Sequence, residues 1–156
     1  MIKNPSINGK NSLYITTMKH SELLFQLFCN LKALYQKNLK FSNISFQQII
    51  SIVNIDGDGV DMSSFSKILG VDNSTGTRLI DGLEKKGLVK RARDETDNRF
   101  IKIFLTNKGE KLYNSIEFEL EKIGYEIENQ ISLKSKEENV ELGISLNWAI
   151  IKCLNK

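Results

Sequence analysis

Asp97 and Arg99 stand two positions apart in the stretch RDETDNRF, residues 93–100, which lies between GLVKRA and IKIFLT. On an extended backbone, side chains two apart project to the same side, so the carboxylate can hold the guanidinium by paired hydrogen bonds. An arginine oriented in this way suits a narrow, electronegative groove. Upstream, the stretch NSTGTR supplies Ser74, Thr75, Thr77 and Arg78. Short hydroxyls and a guanidinium are residue types that contact phosphates and base edges. Lys90, Arg91, Arg93 and Lys102 flank the polar stretch and are expected to face phosphates. A charged loop tip taken alone is more often simply solvated. Its proximity to a hydroxyl-rich helix start is what points to nucleic acid.

Other chemistry finds less support. DGDGVD, residues 56–61, opens like a calcium loop, but the position for the closing bidentate glutamate is Lys67, so the segment reads as a turn. The only histidine, His20, has no ligand side chain three or four residues on, and neither Cys29 nor Cys153 has a close ligand neighbour. No Gly-rich phosphate loop occurs. Catalysis, a metal and a bound cofactor are therefore not expected. Each cysteine sits in an apolar helical pattern, which predicts buried, reduced thiols, with a structural role for Cys29 favoured over redox sensing.

The elements that must position these groups can be read from periodicity. SELLFQLFCNLKALY places Leu24, Leu27, Phe28, Leu31, Leu34 and Tyr35 on one helical stripe. A short helix follows Ser45, whose spacing to Gln48 is that of a capping box, and DGDG ends it. Asp61 is placed to cap a helix that turns Met62, Phe65, Ile68 and Leu69 inward and stops at Gly70. Asp72 and Asn73 then open a second helix with Leu79, Ile80 and Leu83 inside and Gly87 at its end. Two short helices joined by a tight glycine-containing turn outline a helix-turn-helix.

Beyond Gly87 the period becomes two. In FIKIFL, Ile101, Ile103 and Leu105 alternate with Phe100, Lys102 and Phe104, which predicts a two-stranded hairpin with residues 93–100 as its loop. Thr106 is placed to cap a long helix carrying Leu112, Ile116, Leu120, Ile123, Ile127 and Ile131. A last helix opens on the Ser135 and Glu138 pair and carries Val140, Ile144, Ile151 and Leu154. The fold class is thus mostly α with a small β-hairpin wing, a winged helix-turn-helix. In such a module the second helix of the pair enters the major groove and the hairpin tip reaches the neighbouring minor groove.

Composition agrees with a folded chain of this kind. With 156 residues, 40% of them hydrophobic, and one proline, the sequence is sized for a single domain with a real core. No apolar run approaches the roughly 18 residues a membrane span requires, and the first twenty residues carry no secretory pattern, so a soluble, cytoplasmic protein is expected. The net charge of +3 permits nucleic acid without demanding it. Phe25, Tyr35, Phe118, Trp148 and Ile150 add more apolar surface to the end helices than one narrow stripe would use, which predicts a homodimer.

From SFSKILGVDNSTGTRLIDGLEKKGLVKR through DETDNRFIKIFLTNKGEKL, the sequence resembles the MarR (multiple antibiotic resistance regulator) family, and the likeness extends over nearly the whole chain. The resemblance implies one MarR-like domain over 1–156, with dimerisation helices at 12–40 and 106–156 and the winged helix-turn-helix at 45–105. It implies a transcriptional regulator, usually a repressor, bound as a homodimer to a palindromic operator in double-stranded DNA and often released by a small anionic or phenolic effector. The family's serine-threonine pair and arginine fall on Ser74, Thr75 and Arg78, and its wing motif on Asp97 and Arg99. Three positions depart from the pattern. Gly76 replaces a branched apolar residue and Gly82 a long polar one, each expected to cost the helix about 1 kcal/mol against alanine, and Asn98 stands where many members have a second arginine. The alternative reading is a winged-helix protein–protein interaction module that does not bind DNA specifically.

Overall fold

The computed structural model describes residues 19–93, 101–130 and 136–155. By internal packing the chain divides into two compact units, Met1–Phe46 and Gln47–Lys156.

In the first unit, α1 spans His20–Asn38, with Glu22 in its first turn and Lys37 in its last, charges that complement the helix dipole. None of its residues is buried. Leu24, Leu31, Leu34 and Tyr35 of the expected stripe are half-buried, whereas Leu27, Phe28 and Phe25 are exposed, Phe25 to 69%. The helix ends where the Leu39 amide donates to the Tyr35 carbonyl and the Asn38 side chain donates to Leu34 O at 2.9 Å.

The second unit holds the reading module. α2 (Phe46–Val53) buries Ile49 and Ile52, and the equally buried Ser51 satisfies its hydroxyl on the Gln47 carbonyl at 2.8 Å. The DGDG segment is a turn, as expected, with Gly59 at φ +72°. A side chain at Gly59 would collide with the Phe104 ring, 2.5 Å from the position of its Cβ. This turn brings β1 (Val60–Asp61) beside the later hairpin. Asp61 then caps α3 (Met62–Leu69), accepting from the Ser63 and Ser64 amides at 2.9 Å, and Gly70 closes the helix in the left-handed region. α4 (Asn73–Lys85) starts after three residues and ends as Gly87 turns the chain at φ +69°.

β2 (Val89–Arg93) pairs antiparallel with β3 (Ile101–Leu105), Val89 opposite Leu105 and Arg93 opposite Ile101. The sheet has three strands in the order β1, β3, β2, since Val60 also pairs with Ile103, where the sequence predicted a hairpin alone. A strand of two residues has too short a period to be read from its own pattern. Thr106 joins hairpin to helix. Its hydroxyl donates to Gly87 O at 2.7 Å and accepts from the Gly109 amide at 3.1 Å, capping α5 (Asn107–Gln130) as expected. The core gathers Ile49, Ile52, Phe65, Ile80, Leu83, Ile103 and Ile116, all essentially without exposure.

Several expected inward residues lie outside this core. Ile68 is 54% exposed near the end of α3, and Ile101 is 60% exposed because it sits at the far end of β3 from the packed helices. α6 (Lys136–Leu154) leaves Val140, Ile144, Ile151 and Leu154 exposed. The expectation of buried thiols is overturned: Cys29 and Cys153 are both free and exposed. An apolar helical pattern shows which face seeks cover, and within one chain the helices bearing these cysteines are not fully covered. The Ser135 cap and Ile131 lie outside the described residues. Among the described residues no helix is long and apolar enough to cross a membrane.

Candidate nucleic-acid interface

The hydroxyls singled out in the sequence are organised by Asp72, the N-cap of α4. One carboxylate oxygen accepts from the Thr75 amide at 2.9 Å and from the Ser74 hydroxyl at 2.5 Å, and the other accepts from the Thr75 hydroxyl at 2.8 Å. The Ser74 hydroxyl, then the Thr75 amide and hydroxyl, hold this carboxyl well below its ordinary value, because each favours the charged form. Thr77 donates back to the Asn73 carbonyl at 2.7 Å. The three hydroxyl protons are therefore all engaged within the first turns of the helix, while each oxygen keeps acceptor capacity.

A rotation of about 100° per residue separates the faces of α4. Gly76, Ile80 and Leu83 are buried, Thr75 is half-buried on the flank, and Ser74, Thr77 and Arg78 are exposed. Among the described residues no ion pair engages Arg78. The structure thus brings Ser74, Thr77 and Arg78 onto one outward surface at the start of the helix, with Thr75 beside it. Gly76 has a different role from the softening expected. It lies against α3, where a Cβ would fall inside contact distance of Ser66 Oγ and 3.2 Å from Met62 Cε. Glycine here permits the close approach of the two helices. Gly82 likewise leaves space beside Gln48, whose side-chain oxygen accepts from Lys86 Nζ at 2.6 Å.

The basic residues of β2 are divided by the pleat. Arg91 and Arg93 share one strand face and Lys90 takes the other. Lys90 lines a cleft of about 510 Å³ with Ile55, Asp56, Phe104, Glu110 and Tyr113. Arg91 is engaged by acids of α4: one guanidinium nitrogen lies 2.6 Å from Asp81 Oδ1 and another donates to Glu84. Arg93 is exposed at the end of the strand. Lys102, expected to face phosphates, reaches the Asp58 carbonyl at 3.3 Å. Asp97, Arg99 and Asn98 lie outside the described residues. The partners of Arg91 escaped the sequence reading, although acids three apart on a helix and a later arginine are a visible signal for such a bridge.

The MarR family model matches residues 57–101, the segment from the DGDG turn through both helices and into β3. Over that segment the chain is similar to the MarR family. Across more of its length, the chain is 26% identical to the HTH-type transcriptional regulator YybA of Bacillus subtilis over 128 residues, covering 76% of this chain and 85% of that protein. It is 32% identical over 96 residues to the HTH-type transcriptional regulator TtmR of Methylorubrum extorquens, a match covering 59% of this chain and 49% of that one. The fold is similar to the crystal structure of Streptococcus pneumoniae FabT in complex with DNA, with a TM-score of 0.68, 27% identity, and coverage of 86% of this chain and 96% of that chain. In this winged helix-turn-helix, α3 and α4 are the helix pair and β2 with β3 forms the base of the wing. Both of these relatives are HTH-type transcriptional regulators.

Proposed function

We propose that this chain is a DNA-binding transcriptional regulator that acts as a homodimer on a palindromic operator, as a repressor. The outward surface formed by Ser74, Thr77 and Arg78 at the start of a firmly capped helix carries the reading. Those residues and the flanking Thr75 read the major groove, and the Asp97–Arg99 pair carries the wing into the adjacent minor groove. We assign Arg93, exposed at the end of β2, to the phosphate backbone. DNA contact to the Ser74 and Thr75 hydroxyls uses their free lone pairs or releases a proton donor from Asp72.

The dimer is supported by apolar surface that a single chain leaves open. Phe25 is exposed on α1, Phe118 and Tyr125 on α5, and Trp148 and Ile150 on α6, Trp148 to 59%. Exposed apolar groups on this scale mark surfaces that a partner covers. Two modules on a two-fold axis then read half-sites about one helical turn apart. The cleft beside Lys90, with Phe104 and Tyr113 as aromatic walls, is where a small effector is accommodated.

Selection of bound duplexes from a random DNA pool tests the function directly, with an enriched palindrome as the expected result. Failure to enrich any sequence would overturn the reading and favour an interaction module for protein partners. Arg99→Ala should weaken binding to the enriched duplex by roughly 1–3 kcal/mol. A sizing column at micromolar protein should show twice the chain mass, and a monomer there would remove the dimer.

A further inference from the structure

We propose that Arg91 is a positioning residue: bridging Asp81 and Glu84, it ties the first wing strand to the reading helix, fixes the angle between the two DNA-contacting elements, and touches no phosphate. The inference rests on the DNA-binding reading above and concerns how that surface is assembled.

Asp81 and Glu84 are three apart, hence neighbours on one flank of α4. Arg91 approaches from the adjacent strand with one nitrogen for each acid, a planar fork that a lysine cannot reproduce. Between α4 and β2 lie Lys86, Gly87 and Leu88, with Gly87 at φ +69°; the Gly87 and Leu88 amides donate back to Glu84 and Leu83, and Arg91 adds a side-chain tie to α4 three residues beyond Leu88. A small rotation of β2 would displace the exposed Arg93 at its end relative to Ser74 and Arg78.

The two acids also have an electrostatic consequence. Left alone, they would put negative charge on the helix that meets phosphate, and Arg91 offsets them. The side chains are 30% (Arg91) and 47% (Asp81) exposed in this pair, so the bridge adds little to folding stability. Its effect is therefore on geometry and appears in recognition before it appears in unfolding.

The test uses the full chain, the duplex enriched by selection and a random-sequence duplex as control. Asp81→Asn combined with Glu84→Gln raises the net charge from +3 to +5, since two negative charges are removed. A pure charge effect would tighten binding to both duplexes. The positioning role predicts that binding to the enriched duplex weakens about tenfold while binding to the random duplex does not weaken. Arg91→Ala should show the same loss with an unchanged dependence of log affinity on log salt, whereas loss of a phosphate contact would lower that slope by about 1. Arg91→Lys should fail to restore specific binding, although lysine serves as well as arginine for a simple phosphate contact. Unweakened specific binding in the double variant, a reduced slope in Arg91→Ala, or full rescue by lysine would overturn the proposal.

A DNA-free measurement separates this from failure of the DNA reading. Amide hydrogen exchange over Val89–Arg93 should be several-fold faster in Arg91→Ala than in wild type, with the helical content retained by circular dichroism. Unchanged exchange in that strand would overturn the tie between helix and wing, whether or not any duplex is enriched.

Discussion

Replacing Gly76 by alanine sets two effects of opposite sign against each other. Alanine favours an interior helical position by about 1 kcal/mol relative to glycine, so helix propensity alone predicts a more stable protein. Position 76, however, is buried against α3, and the new methyl would lie under 3.0 Å from Ser66 Oγ and 3.2 Å from Met62 Cε. The methionine can yield. Ser66 has less room: it is 2% exposed, and among the described residues its hydroxyl has no hydrogen-bond partner. Overpacking of this type costs about 1–3 kcal/mol, which exceeds the propensity gain. Gly76→Ala should therefore lower stability by about 1 kcal/mol net, or roughly 2–4 °C in Tm for a chain of this size. Ser66→Ala removes the oxygen that blocks the methyl and leaves Ser66 Cβ as the near neighbour at 3.4 Å, an ordinary contact. In the Ser66→Ala background, Gly76→Ala should become neutral or stabilising, giving a coupling of at least about 1 kcal/mol. Urea unfolding followed by circular dichroism, at one fixed protein concentration, measures all four corners of the cycle. A stabilised single variant, or additivity across the pair, would show that the helices are not held at contact distance here.

Other residues make separate predictions. Thr106→Val removes the hydroxyl that caps α5 and holds Gly87, and should cost about 1–2 kcal/mol in the same unfolding assay; a neutral result would deny the cap its role. Gly109→Ala would drive a methyl into the backbone carbonyl of Leu88, which cannot rotate away, so a loss larger than that of Gly76→Ala is expected, and equal losses would refute the ranking. Asp72 titrates below its ordinary value of 3.8 because Ser74 and Thr75 donate to it, so its stabilisation is complete above that pH and declines as pH falls toward its folded-state value. The Tm difference between wild type and Asp72→Ala should accordingly narrow below about pH 4; a gap constant from pH 6 to pH 3 would contradict the assignment. Binding to an enriched duplex should fall linearly on a logarithmic salt scale, and a salt-independent affinity measured by fluorescence anisotropy would exclude phosphate neutralisation.

Much of the architecture was legible without coordinates because its causes are local. Asp61, Asp72 and Thr106 cap helices through bonds to residues two to nineteen positions away, most of them within a turn, and Gly70 and Gly87 stop helices through backbone freedom at a single position. The repeat of apolar residues every three or four positions marked α1, α4 and α5, and the two-residue period marked β3. The outward placement of Ser74, Thr77 and Arg78 followed from the same helical geometry, once Ile80 and Leu83 were known to face inward. These features need only the chain's own stereochemistry.

The remaining features depend on which distant residues meet. Whether Gly76 weakens a helix or admits a neighbour is decided by Ser66, on another helix. Which acids Arg91 meets is decided by the packing of β2 beside α4, and the direction of Lys90 by the pairing of β2 with β3. The third strand exists because a turn at Asp56–Gly59 carries Val60 to Ile103, more than forty positions away. Cys29 and Cys153 lie on patterns that call for cover, but cover is supplied by other elements, and within one chain both remain exposed. Sequence alone determined the elements, their caps and the faces they present, through short-range sterics and periodicity. Tertiary structure alone decided which charges are neutralised, which glycine is a contact and which surfaces stay open, because each is set by distances between residues far apart along the chain.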